Sequence, residues 1–301
     1  MKKLIHFLKD KLNIKNDRFL EKDVILHRIL LRLMKTHFKD RYAFKGGTCL
    51  TKCYLGYYRF SEDLDFTYIG QDEFKGMSQK TLRKTLSEKI NNVLEQLIKI
   101  ADELHLDFRS DKSDTRYVML GGSNKFVTFK LWYKPLTGEK EDFIKIQINY
   151  LELIVNKITE KKAHSLYSSI DKKEMKLLHP EFIDLLDDIN LLAYPLIEMF
   201  LEKIRAILTR RGTKSRDYID VYLIEKKVKI DIDREEPNII NKIEFMLRYD
   251  KYLQNLSVIK PENLIIGEEA QLLLEPLDEG FKKFLPEFFE YLKKLERKIE
   301  L

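Results

Sequence analysis

The period of the apolar positions changes several times along the chain, and each change predicts an element. Glu21 to Phe38, EKDVILHRILLRLMKTHF, places apolar residues at helical spacing. A short strand from Tyr42 to Phe44 runs into Gly46-Gly47, after which Thr48 to Leu55 reads as a helix with Gly56 at its C-cap. Leu64 to Ile69 alternates as a strand does and is ended by Gly70, and Ser78 to Glu103 is a long amphipathic helix. From about Leu106 to Tyr150 strands dominate. Tyr117 to Leu120 and Phe126 to Tyr133 flank GGSN, and FIKIQINY (Phe143 to Tyr150) alternates cleanly. Gly121-Gly122 reads as a hairpin turn and not as a phosphate loop, because no helix start follows it.

Past about residue 180 the pattern is helical, with LIEMFLEKIRAILTRR, RDYIDVYLIEK, IINKIEFMLRYDKYLQ and FKKFLPEFFEYLKKLERKIE as the clearest units. The expected fold class is α+β. A mixed-sheet domain with flanking helices spans 1–180, and a mainly helical domain spans 181–301. A chain of 301 residues has length for two such domains, each with its own core. No run of eighteen apolar residues occurs and the N-terminus, MKKLIHFLKDKLNIKND, is charged throughout, so the expectation is a cytoplasmic protein with no membrane role. Cys49 and Cys53 read as free thiols of a reducing compartment, and the histidines at 6, 27, 37, 105, 164 and 179 form no metal-ligand spacing.

Net charge is +6, which permits nucleic-acid binding, and its distribution is more telling. Lys203, Arg205, Arg210, Arg211, Lys214 and Arg216 lie in a stretch without a single acid. Phosphates are expected there, with Arg205, Arg210, Arg211 and Lys214 able to track an RNA backbone.

The chemistry concentrates in FKGGTCLTKCYLGYYRFSEDLDF, Phe44 to Phe66. Gly46 and Gly47 let backbone amides approach an anion closely, and Thr48 adds a hydroxyl. Asp63 and Asp65 share one face of a strand while Leu64 and Phe66 share the other, and two adjacent carboxylates ask for a cation. Magnesium suits a pair that leaves positions open for water and phosphate oxygens. A second ion roughly 3.5 to 4 Å away would bracket both the attacking and the leaving oxygen, so two ions are expected. Arg59 and Ser61 are placed to reach the same phosphates, Arg59 against charge developing in the transition state. The chemistry implied is metal-dependent phosphoryl or nucleotidyl transfer.

This block resembles the signature of the AbiEii/AbiGii-type nucleotidyltransferase toxins, a branch of the DNA polymerase beta-like nucleotidyltransferase superfamily. Gly-Gly-Ser/Thr, Arg-x-Ser and Asp-x-Asp follow one another there as Gly46 to Thr48, Arg59 to Ser61 and Asp63 to Asp65 do here. A second block, LEKIRAILTRRGTKSRDYIDVYLI, resembles the family's downstream Lys and Arg-Asp-x-x-Asp motif. The resemblance implies that Lys203 contacts nucleotide phosphates and that Arg216 and Asp217 complete the site, with Asp220 locking a helix pair. It implies a nucleotidyltransferase-type sheet domain whose helical partner contributes to the active-site cleft. It further implies the toxin of a two-gene system, neutralised by a cognate antitoxin, that moves a nucleoside monophosphate from an NTP to an acceptor. The basic stretch favours RNA, and the family's behaviour points to tRNA 3′ ends or to protein hydroxyls. Rivals are a non-catalytic GTP- or RNA-binding toxin and a glycosyltransferase, the latter disfavoured by the mere sixty or so residues before the Asp pair. One departure stands out. Where the superfamily places a third carboxylate on a later strand, IKIQINY presents Lys145, Gln147 and Asn149, and Glu152 falls on the wrong side of the alternation unless a bulge intervenes. The general base therefore lies elsewhere, with Asp217 as one option, or metal alone orients the attacking hydroxyl.

Overall fold

The computed structural model describes residues 1–248, 250–256 and 271–299, and the chain divides into two compact units. The first comprises Met1–Glu152 and Ile158–Ala193, and the second Leu153–Lys157 and Tyr194–Leu301.

The first unit opens with helices α1 (Lys2–Leu12) and α2 (Asp17–Leu33), the latter started by Asn16, whose side chain accepts from the Phe19 amide at 3.2 Å. Seven strands follow: β1 (Tyr42–Lys45), β2 (Asp63–Tyr68), β3 (Val118–Gly121), β4 (Phe126–Tyr133), β5 (Asp142–Asn149), β6 (Thr159–Ala163) and β7 (Ile189–Ala193). They form one mixed sheet in the order β3-β4-β5-β2-β1-β7-β6, with β2 and β5 parallel at its centre. Between β1 and β2 lies the short α3 (Gly46–Cys49), which continues as a π-helical turn, Leu50–Leu55, and stops at Gly56 with φ 78°. The expected single helix over this stretch is thus wound in two ways. Helix α4 (Gln79–Leu104) is capped by Ser78, which accepts from the Thr81 amide, and α5 (Lys172–Leu178) is short.

Alternation divides the sheet into two faces. Register sets Phe129 beside Ile146 and Ile146 beside Leu64, then Val127, Ile148, Phe66 and Phe44 in the next row, all fully buried. Helix α2 covers β2 and β5 and packs on α4, whose Leu86, Ile90 and Leu97 are fully buried as well. Each of these side chains contributes about 1.5–3 kcal/mol by leaving water. The opposite face of β2 carries Asp63, Asp65 and Thr67. The GGSN segment is the expected hairpin turn between β3 and β4, with positive φ at Gly122, Ser123 and Asn124.

Two strands depart from the sequence pattern. Within the stretch read as helical after about residue 180, Ile189–Ala193 is β7, paired with both β1 and β6. Its five residues are too few to show a period. Strand β6 reads TEKKA, an edge strand with a single buried side chain, so it carries no apolar alternation.

The second unit is built from α6 (Leu196–Thr209), α7 (Ser215–Val228), α8 (Ile232–Leu247), α9 (Asp250–Leu256) and α10 (Glu279–Ile299). The expected unit over 239–254 is two helices, α8 and α9, and Tyr249 and Glu300 lie outside the described residues. Helix α6 packs on α7 and α8, and α10 packs on α7. Its interior holds an ionic post: Lys242 Nζ lies 2.7 Å from Glu198, 2.6 Å from Glu202 and 2.6 Å from the Leu153 carbonyl. Glu198 in turn accepts from the Val155 and Asn156 amides, which ties the 153–157 segment down. No described helix is long and apolar enough to cross a membrane.

Candidate active site

The residues of the first block converge at the start of α3. Gly46 has φ +76°, and a Cβ there would sit 2.3 Å from Asp65 Oδ2. A Cβ on Gly47 would meet Arg59 Nη2 at 2.4 Å and Ser61 Oγ at 3.2 Å. Both glycines are therefore needed for the turn to lie flat against the strand that carries the acids. Thr48 Oγ1 donates to the Asp63 carbonyl and lies 2.8 Å from Ser61 Oγ, so its buried hydroxyl fastens the turn to β2. The first amides of α3 have no intrahelical acceptor. Behind it, Thr51 Oγ1 donates to the Gly47 carbonyl at 3.0 Å. Lys52, fully buried, pairs with Asp23 at 3.2 Å, and Tyr167 also donates to Asp23, at 2.9 Å. A π-helical turn is a costly winding and collects at functional sites, and this network holds it in place.

Replacement of Gly46 by Ala is expected to destabilise the first unit by about 1–3 kcal/mol, since it combines an unfavourable φ with a collision on Asp65. Gly47→Ala collides with Arg59 but carries no penalty from a positive φ and is expected to cost less. Urea unfolding of the two variants checks this, and equal losses would contradict it.

Arg59 is 2 % exposed, donates from Nη1 to the Phe60 carbonyl at 2.9 Å and lies over the Tyr58 ring, so its guanidinium is held in one orientation over Gly47. Asp63 and Asp65 are half-buried on one face of β2. Parallel pairing puts Lys145 beside Asp63, Gln147 beside Asp65 and Asn149 beside Thr67, and antiparallel pairing puts Lys45 beside Asp65. Lys145 Nζ lies 2.8 Å from Asp63 Oδ2. Gln147 Nε2 reaches Thr128 Oγ1 at 3.4 Å.

Glu152 does reach this face. Strand β5 ends at Asn149, and a bend at Tyr150 and Leu151 returns the Glu152 carboxylate to Lys45 Nζ at 2.7 Å, to the Thr67 hydroxyl and to Asn149 Nδ2 at 3.2 Å. The alternation argument against it fails because alternation holds only inside a strand. Lys45, Lys145 and Glu152 are the site-face residues the motif reading did not assign a role. The signal for Lys45 was its place directly before Gly46-Gly47.

The second block forms its own cluster, within the second unit. Lys203 Nζ sits 2.8 Å from Asp217 Oδ1 and 2.6 Å from Asp220 Oδ2, and Arg210 Nη1 sits 2.6 Å from Asp217 Oδ2. Asp220 thus ties α7 to α6 through Lys203. Burial pushes the Asp217 carboxyl up, but the charges of Lys203 and Arg210 and the Lys203 hydrogen bond outweigh it, leaving the group below the ordinary carboxylate value. Arg205 pairs with Glu202 at 2.6 Å, one turn back on α6. Arg211 and Lys214 are exposed in the loop between α6 and α7, and Arg216 is half-buried in the first turn of α7.

Two free thiols, Cys49 and Cys53, flank the junction of α3 and the π turn, and burial together with the Cys53 hydrogen bond holds the Cys49 thiol well above its usual range, which makes it a poor nucleophile. Among the described residues no group of three or more His, Cys, Asp or Glu is arranged to hold a metal, so any ion here rests on the Asp63–Asp65 pair and on oxygens from water and substrate.

The family model for "Nucleotidyl transferase AbiEii toxin, Type IV TA system" matches residues 28–300. No curated protein matches the chain. Two solved structures are similar along nearly its whole length. One is JHP933 from Helicobacter pylori, 16 % identical with a TM-score of 0.43, covering 95 % of this chain and 94 % of that one. The other is a candidate nucleotidyltransferase from H. pylori, 15 % identical with a TM-score of 0.41, covering 95 % and 98 %.

Proposed function

The chain belongs to the AbiEii family of nucleotidyltransferase toxins of type IV toxin–antitoxin systems, and from that premise we propose that it transfers a nucleoside monophosphate from an NTP to the 3′ end of a tRNA. The observation that carries this reading is the meeting of Gly46-Gly47, Arg59 and the Asp63–Asp65 pair where β1 ends beside the start of β2, at the centre of the sheet. Two half-buried carboxylates facing the same way fit a hard cation that keeps water and phosphate ligands. Magnesium held by Asp63 and Asp65 would neutralise the triphosphate and polarise the reacting phosphoryl group.

The protein's own groups account for the rest. The amides at Gly46 and Gly47 accept the close approach of phosphate oxygens, and Arg59, already fixed over Gly47, offers its charge where negative charge builds up. The acceptor hydroxyl oxygen bonds the α-phosphorus, the bond to the β-phosphate bridging oxygen breaks, and pyrophosphate leaves with that electron pair. The hydroxyl proton passes to solvent. Asp217, with its proton affinity lowered by Lys203 and Arg210, is a weak base, and its geometry supports a positioning role for those two cations. Lys203 and Arg216 are assigned to the nucleotide's phosphates on the family motif. An RNA acceptor is supported by Arg211 and Lys214, the exposed members of the basic stretch, because Arg205 and Arg210 already serve neighbouring carboxylates. Family membership also implies a cognate antitoxin as partner.

Incubation with magnesium, total RNA and each α-labelled NTP in turn, resolved on a denaturing gel, tests the acceptor. Label in a tRNA-sized band is the expected result. Label on protein would move the acceptor to a protein hydroxyl, and no label at all would leave a toxin that binds GTP or RNA without transfer.

A further inference from the structure

We propose that this site works with one divalent cation, the one that arrives on the triphosphate, and that the ammonium of Lys145 stands where the charge of a second ion would be needed. The inference rests on the nucleotidyl-transfer reading of Asp63 and Asp65 and deepens it. It replaces the two ions that the bare Asp-x-Asp pattern suggests.

The case begins with the strand next to the acids. In a two-ion site both cations must be held close together, and two doubly charged ions need more anionic ligand than two carboxylates supply. On the sheet, an additional carboxylate facing Asp63 and Asp65 would come from β5 or β1, the two strands paired with β2. Those positions are Lys145 and Gln147 on β5 and Lys45 on β1. Gln147 brings a neutral amide engaged with Thr128, and Lys145 brings a positive charge already 2.8 Å from Asp63. Glu152, the other carboxylate on this face, is taken by Lys45, Thr67 and Asn149. The face as a whole sets the three carboxylates of Asp63, Asp65 and Glu152 against the three ammonium groups of Lys45, Lys145 and Lys130, so it carries no excess of negative charge for a second divalent ion.

Rotation of the Lys145 side chain does not remove the constraint. Its Cα is locked beside that of Asp63, so in every rotamer the ammonium stays within a side chain's length of the acid pair, and a second cation would be placed against it. The same ammonium can meet the oxyanion of an incoming hydroxyl or a phosphate oxygen, the role a second cation has elsewhere. A lysine does this as a point charge that needs no ligand set.

Counting bound Mn²⁺ by electron paramagnetic resonance, with the purified full chain and a non-transferable α,β-methylene NTP analogue, tests this without any turnover. The expected spectrum is that of an isolated ion, with one Mn²⁺ per chain at saturation. Two ions per chain with an exchange-coupled spectrum would overturn the inference and leave the transfer reading standing. Absence of any chain-bound ion, with wild type and Asp65→Ala alike, would overturn both. The double variant Lys145→Met/Gln147→Asp is expected to take up a second, coupled Mn²⁺, and a count that stays at one would show that these positions do not set it. Lys145→Met alone is expected to bind the single ion about tenfold more tightly, because a like charge is removed from beside the ligand. An unchanged affinity would count against the proposal.

Discussion

Asp65→Ala is expected to abolish transfer, by roughly a thousandfold or more, while leaving the first unit folded. Asp65 lies between Lys45 and Gln147 in the ladder, and its carboxylate lies against the Gly46 turn, the place proposed to receive phosphate oxygens. The strand does not depend on it for its hold on the core. That hold comes from Leu64 and Phe66 on the other face, both fully buried. Removal of a carboxylate from beside Asp63 relieves some like-charge repulsion, an effect already reduced by Lys145, and the change in stability is expected to stay within about 1 kcal/mol. Asp63→Ala removes the partner of Lys145 as well, and the freed ammonium remains near the site, so its loss of activity is expected to be at least as large. Thermal melts of both variants beside a transfer assay separate the two quantities. Retention of wild-type transfer by Asp65→Ala would dismiss it as a metal ligand.

A second large effect is expected far from the Asp pair. Lys242→Ala should destabilise the second unit by about 3–5 kcal/mol, since it strands Glu198, which is fully buried, without its cation and leaves Glu202 with Arg205 alone. The Leu153 carbonyl loses its donor as well. Lys242→Met, which restores much of the packing volume, is expected to recover little, because the cost arises from the uncompensated Glu198 carboxylate and not from a cavity. Replacement of the whole cluster by apolar residues would be far better tolerated than the single change. Urea unfolding followed by helical circular dichroism measures the loss, and a deficit below about 1 kcal/mol for Lys242→Ala would show that the carboxylates find other partners.

The central strands were legible in the sequence because they alternate against a deep core: Leu64 and Phe66 on one side, Asp63 and Asp65 on the other. The polar face of β5 was legible for the same reason. What escaped has definite causes. Strand β6 is polar on both sides, and β7 is too short for a period to appear. The π-helical turn after α3 cannot be told from an α-helix by pattern, since its six residues span little more than one turn of either. Glu152 escaped because a bend after β5 resets the alternation, and the pairing of Lys145 with Asp63 because strand register across a parallel ladder is a property of the fold and not of either segment alone. The Lys203 and Asp217 motif was visible through its resemblance to the family's downstream Lys and Arg-Asp-x-x-Asp motif, yet the pairing of Arg205 with Glu202 and of Arg210 with Asp217 was not, and it engages two of the four residues expected to track a phosphate backbone.

The most direct measurement is a paired label experiment with magnesium and total RNA, using NTP labelled at the α-phosphate in one reaction and at the γ-phosphate in the other. Nucleotidyl transfer predicts α-label on the acceptor and γ-label in released pyrophosphate, both lost in Asp65→Ala. γ-Label on the acceptor would contradict that account, because Gly46-Gly47, Arg59 and the Asp63–Asp65 pair would then serve phosphoryl transfer instead.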